Sequence, residues 1–201
     1  MSAFSILMAK PEELDDAALL ASHAMIDLPE NVAVFRGNRQ RMEHVFRIVF
    51  HRRPGRVFLA KDGMEIVGMM RIAEWPYCYP SPLLKLKLLP SMLLAMRDTM
   101  PRALKLQGVW ARRDPKEHHV HFGPIAVKKE SQRRGIGTAL MKHLTEYADD
   151  IKENIYLETG TKRNVRFYSH FGFEIIDEAS VLAATTWFMW RAKNHPHIKK
   201  E

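Results

Sequence analysis

The sequence predicts one mixed α/β domain over residues 1–201, interrupted by a helical insertion at about 76–117. Three features point there. Short apolar runs of strand character alternate with stretches of helical periodicity, the pattern of a sheet flanked by helices. Two of those runs flank the turn Lys61-Asp62-Gly63, a hairpin signal. Between Glu74 and Glu117 the alternation breaks, and Pro80, Pro82, Pro90 and Pro101 punctuate a Leu- and Met-rich basic stretch that reads as short inserted helices.

The elements follow in order. Phe4–Ala9 reads as a first strand. Pro11-Glu12-Glu13 opens a helix to about Ile26, with proline in the first turn and acids favouring the N-terminal dipole. A second helix fits Asn38–His51, where Met42, Val45, Phe46, Val49 and Phe50 share a face. Arg56–Ala60 and Glu65–Ala73 form the hairpin. After the insertion, His119–Val127 is a strand. Ser131–Asp149 is a helix carrying Ile136, Leu140, Leu144 and Tyr147 on one stripe. Ile155–Thr159 is a strand, Asn164–His170 a short helix, and Gly172–Ile176 and Thr185–Arg191 close the domain. Asn194–Glu201 reads as a frayed, disordered basic tail. No internal repeat or low-complexity segment interrupts this plan.

Composition narrows the class. Apolar residues are 46% and charged ones 27%, ordinary for a globular protein, and no apolar run approaches the roughly 20 residues a membrane span needs. The N-terminus lacks a basic region and turns acidic after Pro11, so a secretory signal is not expected. Cys78 is the only cysteine, which rules out an internal disulfide and suits a reducing, cytoplasmic setting. Net charge is +8, and between Leu83 and Arg113 seven cations face Asp98 alone. Such a patch could attract a polyanion, or it could be a solvated basic face. It lacks the aromatic platforms of an RNA-binding signature, so nucleic acid is not the expected partner. Oligomeric state is left open.

The stretch "QRRGIG", Gln132–Gly137, lies between an apolar strand and a helix. A dinucleotide fingerprint needs a third glycine where Leu140 stands, and a Walker loop needs a lysine that Gly137-Thr138 lacks. What remains is the general device of exposed backbone N–H groups at a helix N-terminus, aimed at an anion. Gly135 and Gly137 let the anion come close to the backbone, and Arg133 and Arg134 supply charge beside it.

Gln132-x-x-Gly135-x-Gly137 after an apolar strand resembles the pyrophosphate loop of the GNAT superfamily of N-acetyltransferases. "YLETGTKRNVRFYSHFGFEII" is similar to that superfamily's second signature, with Asn164, Phe167-Tyr168 and Gly172-Phe173 at its usual spacing, and "TTWFMWR" resembles the last strand of small-molecule members. The two signatures cover residues 119–176. The resemblance implies a central mixed, mostly antiparallel sheet splayed between two middle strands near Val127 and flanked by helices. It implies acetyl-CoA as co-substrate and direct transfer to a primary amine. The loop Gln132, Arg133, Arg134, Gly135, Ile136, Gly137 and Thr138 would hold the phosphates. The backbone of Ile125, Ala126 and Val127 would pair with the pantetheine arm. Asn164 would bond that arm or cap its own helix. Tyr168 would protonate the departing thiolate. The alternatives are a CoA-binding regulator without catalysis and an RNA- or ribosome-associated protein.

The base is open. His119 and His121 lie two apart on a strand and share a face, and an imidazole suits proton removal near neutrality. His121 is the first candidate and Glu158, from the next strand, its rival. Trp75, Tyr77 and Tyr79, where the insertion begins, could form an aromatic wall for the acceptor or pack the insertion onto the domain. No Cys or acid accompanies His118, His119 and His121 at metal-ligand spacing, so no metal site is expected, and no motif ties Cys78 to a catalytic partner. The basic insertion disfavours polycationic acceptors and leaves a neutral or anionic small amine or a protein N-terminus.

Overall fold

A computed structural model describes residues 4–193. The tail expected from Asn194 onward lies outside the described residues. The strands are β1 (Ser5–Met8), β2 (Arg56–Asp62), β3 (Glu65–Glu74), β4 (His119–Val127), β5 (Asn154–Thr159), β6 (Glu174–Val181) and β7 (Ala184–Arg191). The helices are α1 (Leu14–Met25), α2 (Pro29–Phe35), α3 (Arg39–Arg52), α4 (Pro82–Met96), α5 (Met100–Arg113), α6 (Ile136–Asp150) and α7 (Lys162–Ser169). No helix among the described residues is long and apolar enough to cross a membrane.

The strands form one seven-stranded sheet in the order β1-β2-β3-β4-β5-β7-β6. Every neighbouring pair is antiparallel except β4 and β5, which run parallel and are joined by α6 as the crossover that parallel strands require. The mixed, mostly antiparallel sheet matches expectation. Leu182 and Ala183 both have positive φ and turn β6 back into β7.

Several boundaries differ from the sequence reading, each for a local reason. The helix expected from Ser131 begins at Ile136, because Arg133 (φ 64°) and Gly135 (φ 82°) are left-handed and cannot continue a right-handed helix. α2 was not anticipated. Its short length hides its periodicity, although Pro29 sits at its first turn. The insertion holds two helices of 15 and 14 residues rather than short pieces. Pro82 and Pro101 start these helices, where a missing N–H costs nothing, and only Pro90 lies inside one.

Each face of the sheet has its own core. On one face, Leu140, Met141 and Leu144 of α6 and Tyr168 of α7 pack on Phe58, Met70, Ile72, Val120, Phe122, Ile155 and Leu157. On the other, Ala17, Ala18 and Ala21 bring α1 against Leu59 and Met69. A further cluster joins Met96, Met100, Ala103 and Leu106 of the insertion to Val34 and Phe35 of α2, Met42 of α3 and Val181 of β6. The insertion is therefore part of the core.

Arg191, at the end of β7, fastens α7 to α6. Its guanidinium bonds both Asp149 carboxylate oxygens (2.7 and 3.0 Å), and its Nε donates to Phe171 O (3.0 Å). The arginine side chain is almost wholly buried and the carboxylate partly so. Arg191→Ala leaves Asp149 without this bidentate partner and frees the turn after α7. The expected loss is about 3 kcal/mol in urea-induced unfolding. A loss under about 1 kcal/mol would class the pair with ordinary surface bridges.

Candidate active site

Pairing of β4 with β5 ends at His121–Tyr156, while β4 continues to pair with β3 as far as Val127–Gly68. The β4 edge that faces β5 therefore opens from Phe122 onward, earlier than the expected point near Val127. A bulge marks the start. Gly123 and Pro124 together stand opposite Arg71, since Met70 pairs with Ile125 and Ile72 with Phe122. Ile125, Ala126 and Val127 lie beyond it on the open stretch.

The glycine turn stands at the end of this edge. Gln132 is extended and its Nε2 reaches Val127 O at 3.4 Å. Gly135 then adopts φ 82°, ψ 2°, a conformation that disfavours any Cβ. The first bond of α6 runs from Ala139 N–H to Gly135 O (2.9 Å), so the N–H groups of Ile136, Gly137 and Thr138 precede the helical ladder. Arg133 is exposed, and Arg134 ion-pairs with Asp62 at the β2–β3 turn (2.6 Å). A Cβ at Gly137 would meet Phe167 Cζ at 3.6 Å and Val127 Cγ2 at 3.9 Å, ordinary contacts that the fold tolerates.

α7 faces the same opening. Thr161 Oγ1 accepts from Asn164 N–H (3.1 Å) and is the helix cap. Asn164 thus lies in the first turn and is not the cap. Tyr168 is buried, its ring edge-on to Phe122 at 6.0 Å between centroids and beside Phe167 and Phe173. Burial, with the Glu30 charge adding to it, raises the phenol far above its usual pKa, so it keeps its proton.

Glu30 was not anticipated. It lies in the first turn of α2, is 7% exposed, and its carboxylate rests on the Cα of Gly160 just past β5. A Cβ at position 160 would stand 1.8 Å from Glu30 Oε2, so only glycine admits the carboxylate there. Burial raises its pKa despite the backbone N–H groups of Glu30 and Gly160 that favour the anion. A lone Pro-Glu at a helix start carries no motif, and only the fold reveals its neighbour.

His121 and Glu158 do meet, with His121 Nε2 at 2.9 Å from Glu158 Oε2. Burial disfavours the imidazolium, but Glu158 and its neighbours outweigh that and raise His121 well above its usual pKa. Around this pair the fold gathers Cys78 from the start of the insertion, Asp114 from its end, and His119. The sequence offers no cysteine or acid at metal-ligand spacing from His118, His119 and His121; the fold brings Cys78 and Asp114 from distant positions to His119 and His121, and leaves His118 against Trp75. Burial raises the Cys78 thiol, while the His119 and His121 imidazoles lower it further, to about 7. Of the aromatic wall, only Tyr79 reaches the cluster, its ring 6.2 Å from that of His121. Tyr77 is exposed. Trp75 packs on His118 in a groove with Arg56, Glu74 and Tyr147 beside the start of β4, the opposite end from the glycine turn.

Comparison with known proteins gives the same frame. The structure is similar to a Corynebacterium glutamicum protein described as histone acetyltransferase HPA2 and related acetyltransferase (TM-score 0.69, 20% identity, 98% of this chain and 100% of that one covered). It also resembles yncA of Salmonella typhimurium, solved with its cofactor acetyl-CoA (0.57, 10%, 99% and 99%). A third likeness is NAA60 of Arabidopsis thaliana in complex with a bisubstrate analogue (0.57, 13%, 94% and 97%). At these identities the likeness speaks for the fold. The family model of the acetyltransferase (GNAT) family matches residues 22–173, which take in the β4–α6 turn, the β5–α7 segment, Glu30 and the insertion. The chain belongs to the GNAT acetyltransferase family.

Proposed function

We propose that this protein transfers the acetyl group of acetyl-CoA directly to a primary amine, of a small molecule or a protein N-terminus, without an acyl-enzyme. The observation that carries this reading is the opening of β4 away from β5 with the glycine turn at its end. The unladdered N–H groups of Ile136, Gly137 and Thr138 suit a pyrophosphate, aided by the helix dipole. Arg133 and Arg134 add charge, the latter shared with Asp62. The β4 edge at Ile125–Val127 suits an extended amide-bearing arm, and the Asn164 carboxamide suits its carbonyls.

Chemistry needs a proton taken from the amine and one given to the leaving thiolate. Tyr168 is the donor, because its phenol is buried and protonated where α7 meets the opening at Phe122. Glu30 is the base. His121 is less suited, since Nε2 is bonded to Glu158 and Nδ1 lies 3.4 Å from the Asp114 carboxylate, and Glu158 is already engaged by that imidazole. Glu30 is a carboxylate beside Gly160 and near Tyr168, with its pKa raised toward the working range of a base. The amine nitrogen attacks the thioester carbonyl as its proton passes to Glu30. The C–S bond breaks and the sulfur takes the Tyr168 proton. The cations of α4 and α5 disfavour polycationic acceptors.

Release of CoA thiol on mixing the protein with acetyl-CoA and a panel of amines tests the reading as a whole. Absence of turnover, with CoA bound, would favour a regulator instead. Gly137→Val places methyl groups over the N–H cluster. It should abolish CoA binding by calorimetry while circular dichroism stays native, and unchanged affinity would remove the loop assignment.

Tyr168→Phe keeps the ring packing and loses only the donor. The expectation is a fall in kcat of about 10²–10⁴-fold with acetyl-CoA affinity preserved. Retention of more than half the wild-type kcat, with chemistry rate-limiting, would leave Tyr168 as a packing residue.

A base acts in its deprotonated form, and Glu30 is raised above the ordinary carboxylate value of about 4.3. Activity should therefore fall as pH drops through that raised pKa. Glu30→Gln should lower kcat/KM by about 10²–10⁴-fold and erase this acidic limb. A mutant profile that keeps the limb would assign it to another group.

A further inference from the structure

We propose that Cys78, Asp114, His119 and His121 form a structural zinc site that fastens both ends of the insertion to β4. The four donor atoms all lie within 4.8 Å of one another. Asp114 Oδ2 is 3.4 Å from His121 Nδ1 and 3.7 Å from His119 Nε2. Ligands on a tetrahedral zinc, at bond lengths of about 2.0–2.3 Å, stand about 3.3–3.8 Å apart. The Asp114–His121 edge already has the length that a shared ion imposes on an oxygen and a nitrogen, and the Asp114–His119 edge is slightly longer.

The surrounding hydrogen bonds turn each imidazole toward the ion. His119 Nδ1 lies 2.8 Å from Glu117 O, an acceptor only, so it carries the proton and leaves Nε2 as a lone pair. His121 Nε2 lies 2.9 Å from Glu158 Oε2, so a metal that displaces the second ring proton would meet the Nδ1 lone pair. This carboxylate–histidine arrangement is the one that fixes a metal-binding tautomer. The inward-facing atoms Asp114 Oδ2, His119 Nε2 and His121 Nδ1 are all buried without a hydrogen-bond partner among the described residues. Asp114 is 4% and His119 2% exposed. Buried polar atoms left without a well-formed hydrogen bond are costly, and a cation at their centre would remove that cost.

The donor set selects the ion. One sulfur and two imidazoles do not suit calcium or magnesium, which take oxygen ligands. A single sulfur, two nitrogens and one carboxylate oxygen in a compact group suit zinc. Four protein ligands leave no open position, which marks a structural site. Cys78 precedes α4 and Asp114 follows α5, so the ion closes the insertion as a loop on β4. The inference does not rest on acetyl transfer.

Metal analysis of the purified full chain, dialysed without chelator, should find zinc at one equivalent per chain. After removal by chelator, added zinc should raise the Tm. Cobalt(II) in its place should give tetrahedral d–d bands and a thiolate-to-cobalt charge-transfer band, with the latter absent in Cys78→Ser. Glu158→Gln, which keeps all four ligands, should weaken zinc binding by about 10–100-fold while circular dichroism stays native. A folded chain that takes up neither zinc nor cobalt would overturn the site, as would a cobalt spectrum without the thiolate band. CoA binding, measured separately by calorimetry, keeps this outcome distinct from failure of the cofactor assignment.

Discussion

β4 and β5 run parallel but pair only over His119–His121 against Asn154–Tyr156. Much of the functional geometry follows from where that ladder stops. Strands that continued to pair would satisfy each other's backbone groups and leave no edge for an extended ligand. The bulge at Gly123 and Pro124 bends β4 away while its other edge stays registered with β3, so the departure is firm rather than frayed. α6, the crossover that parallel strands demand, must start where β4 ends. Its N-terminus, with its unladdered N–H groups and dipole, therefore arrives beside the opening. The same topology brings α7 back over Phe122 and sets Tyr168 at the point of divergence.

The opposite face of the sheet carries a different constraint. Strand alternation turns Val120 and Phe122 into the core under α6, and so turns His119 and His121 outward on the other side with Tyr156 and Glu158. That face would be an expensive place for so many polar groups if it were simply covered by apolar helices. The insertion covers it with polar atoms at both of its ends, Cys78 and Asp114, and with apolar ones between. Polar contacts at the ends and a shared apolar core in the middle make the insertion a wall of the domain. α5 adds to this through Trp110 Nε1, which donates to Thr186 Oγ1 (3.3 Å), and Arg113, which pairs with Asp177 and lies over the Phe188 ring.

Local signals made part of this legible. The alternation at His119–Val127, the helical stripe at Ile136–Tyr147 and the two glycines between them are nearest-neighbour information, and they led to the sheet, the crossover and the turn. The spacing from Asn164 to Gly172 led likewise to α7. What the sequence hid is what depends on contact between distant positions. The Glu30 carboxylate can lie where it does because Gly160 has no side chain, a pairing that no periodicity encodes. Cys78 and Asp114 flank an insertion whose helices bring its two ends together, and without that closure the histidines read as a strand surface. Trp75 illustrates the converse. It stands close in sequence to Tyr79, yet it follows β3 to the end away from the glycine turn, while Tyr79 turns inward to His121.

These long-range contacts converge on α2. The helix is only seven residues long, too short to be stable by its own hydrogen bonds, and its position is set by what it packs against. Val34 and Phe35 enter the cluster built by the insertion, and Arg102 of α5 donates from Nε to Ala33 O at 2.5 Å. The insertion thus holds the helix that carries Glu30, and Gly160 supplies the space its carboxylate enters. A buried carboxylate keeps a raised pKa only while water is excluded and its neighbours stay in place. The polar cluster at His121 and the carboxylate at Gly160 share no atom, yet the packing of α5 on α2 gives them a common mechanical support. If Glu30 is the base proposed above, the insertion supports the chemistry by holding in place the helix that carries it.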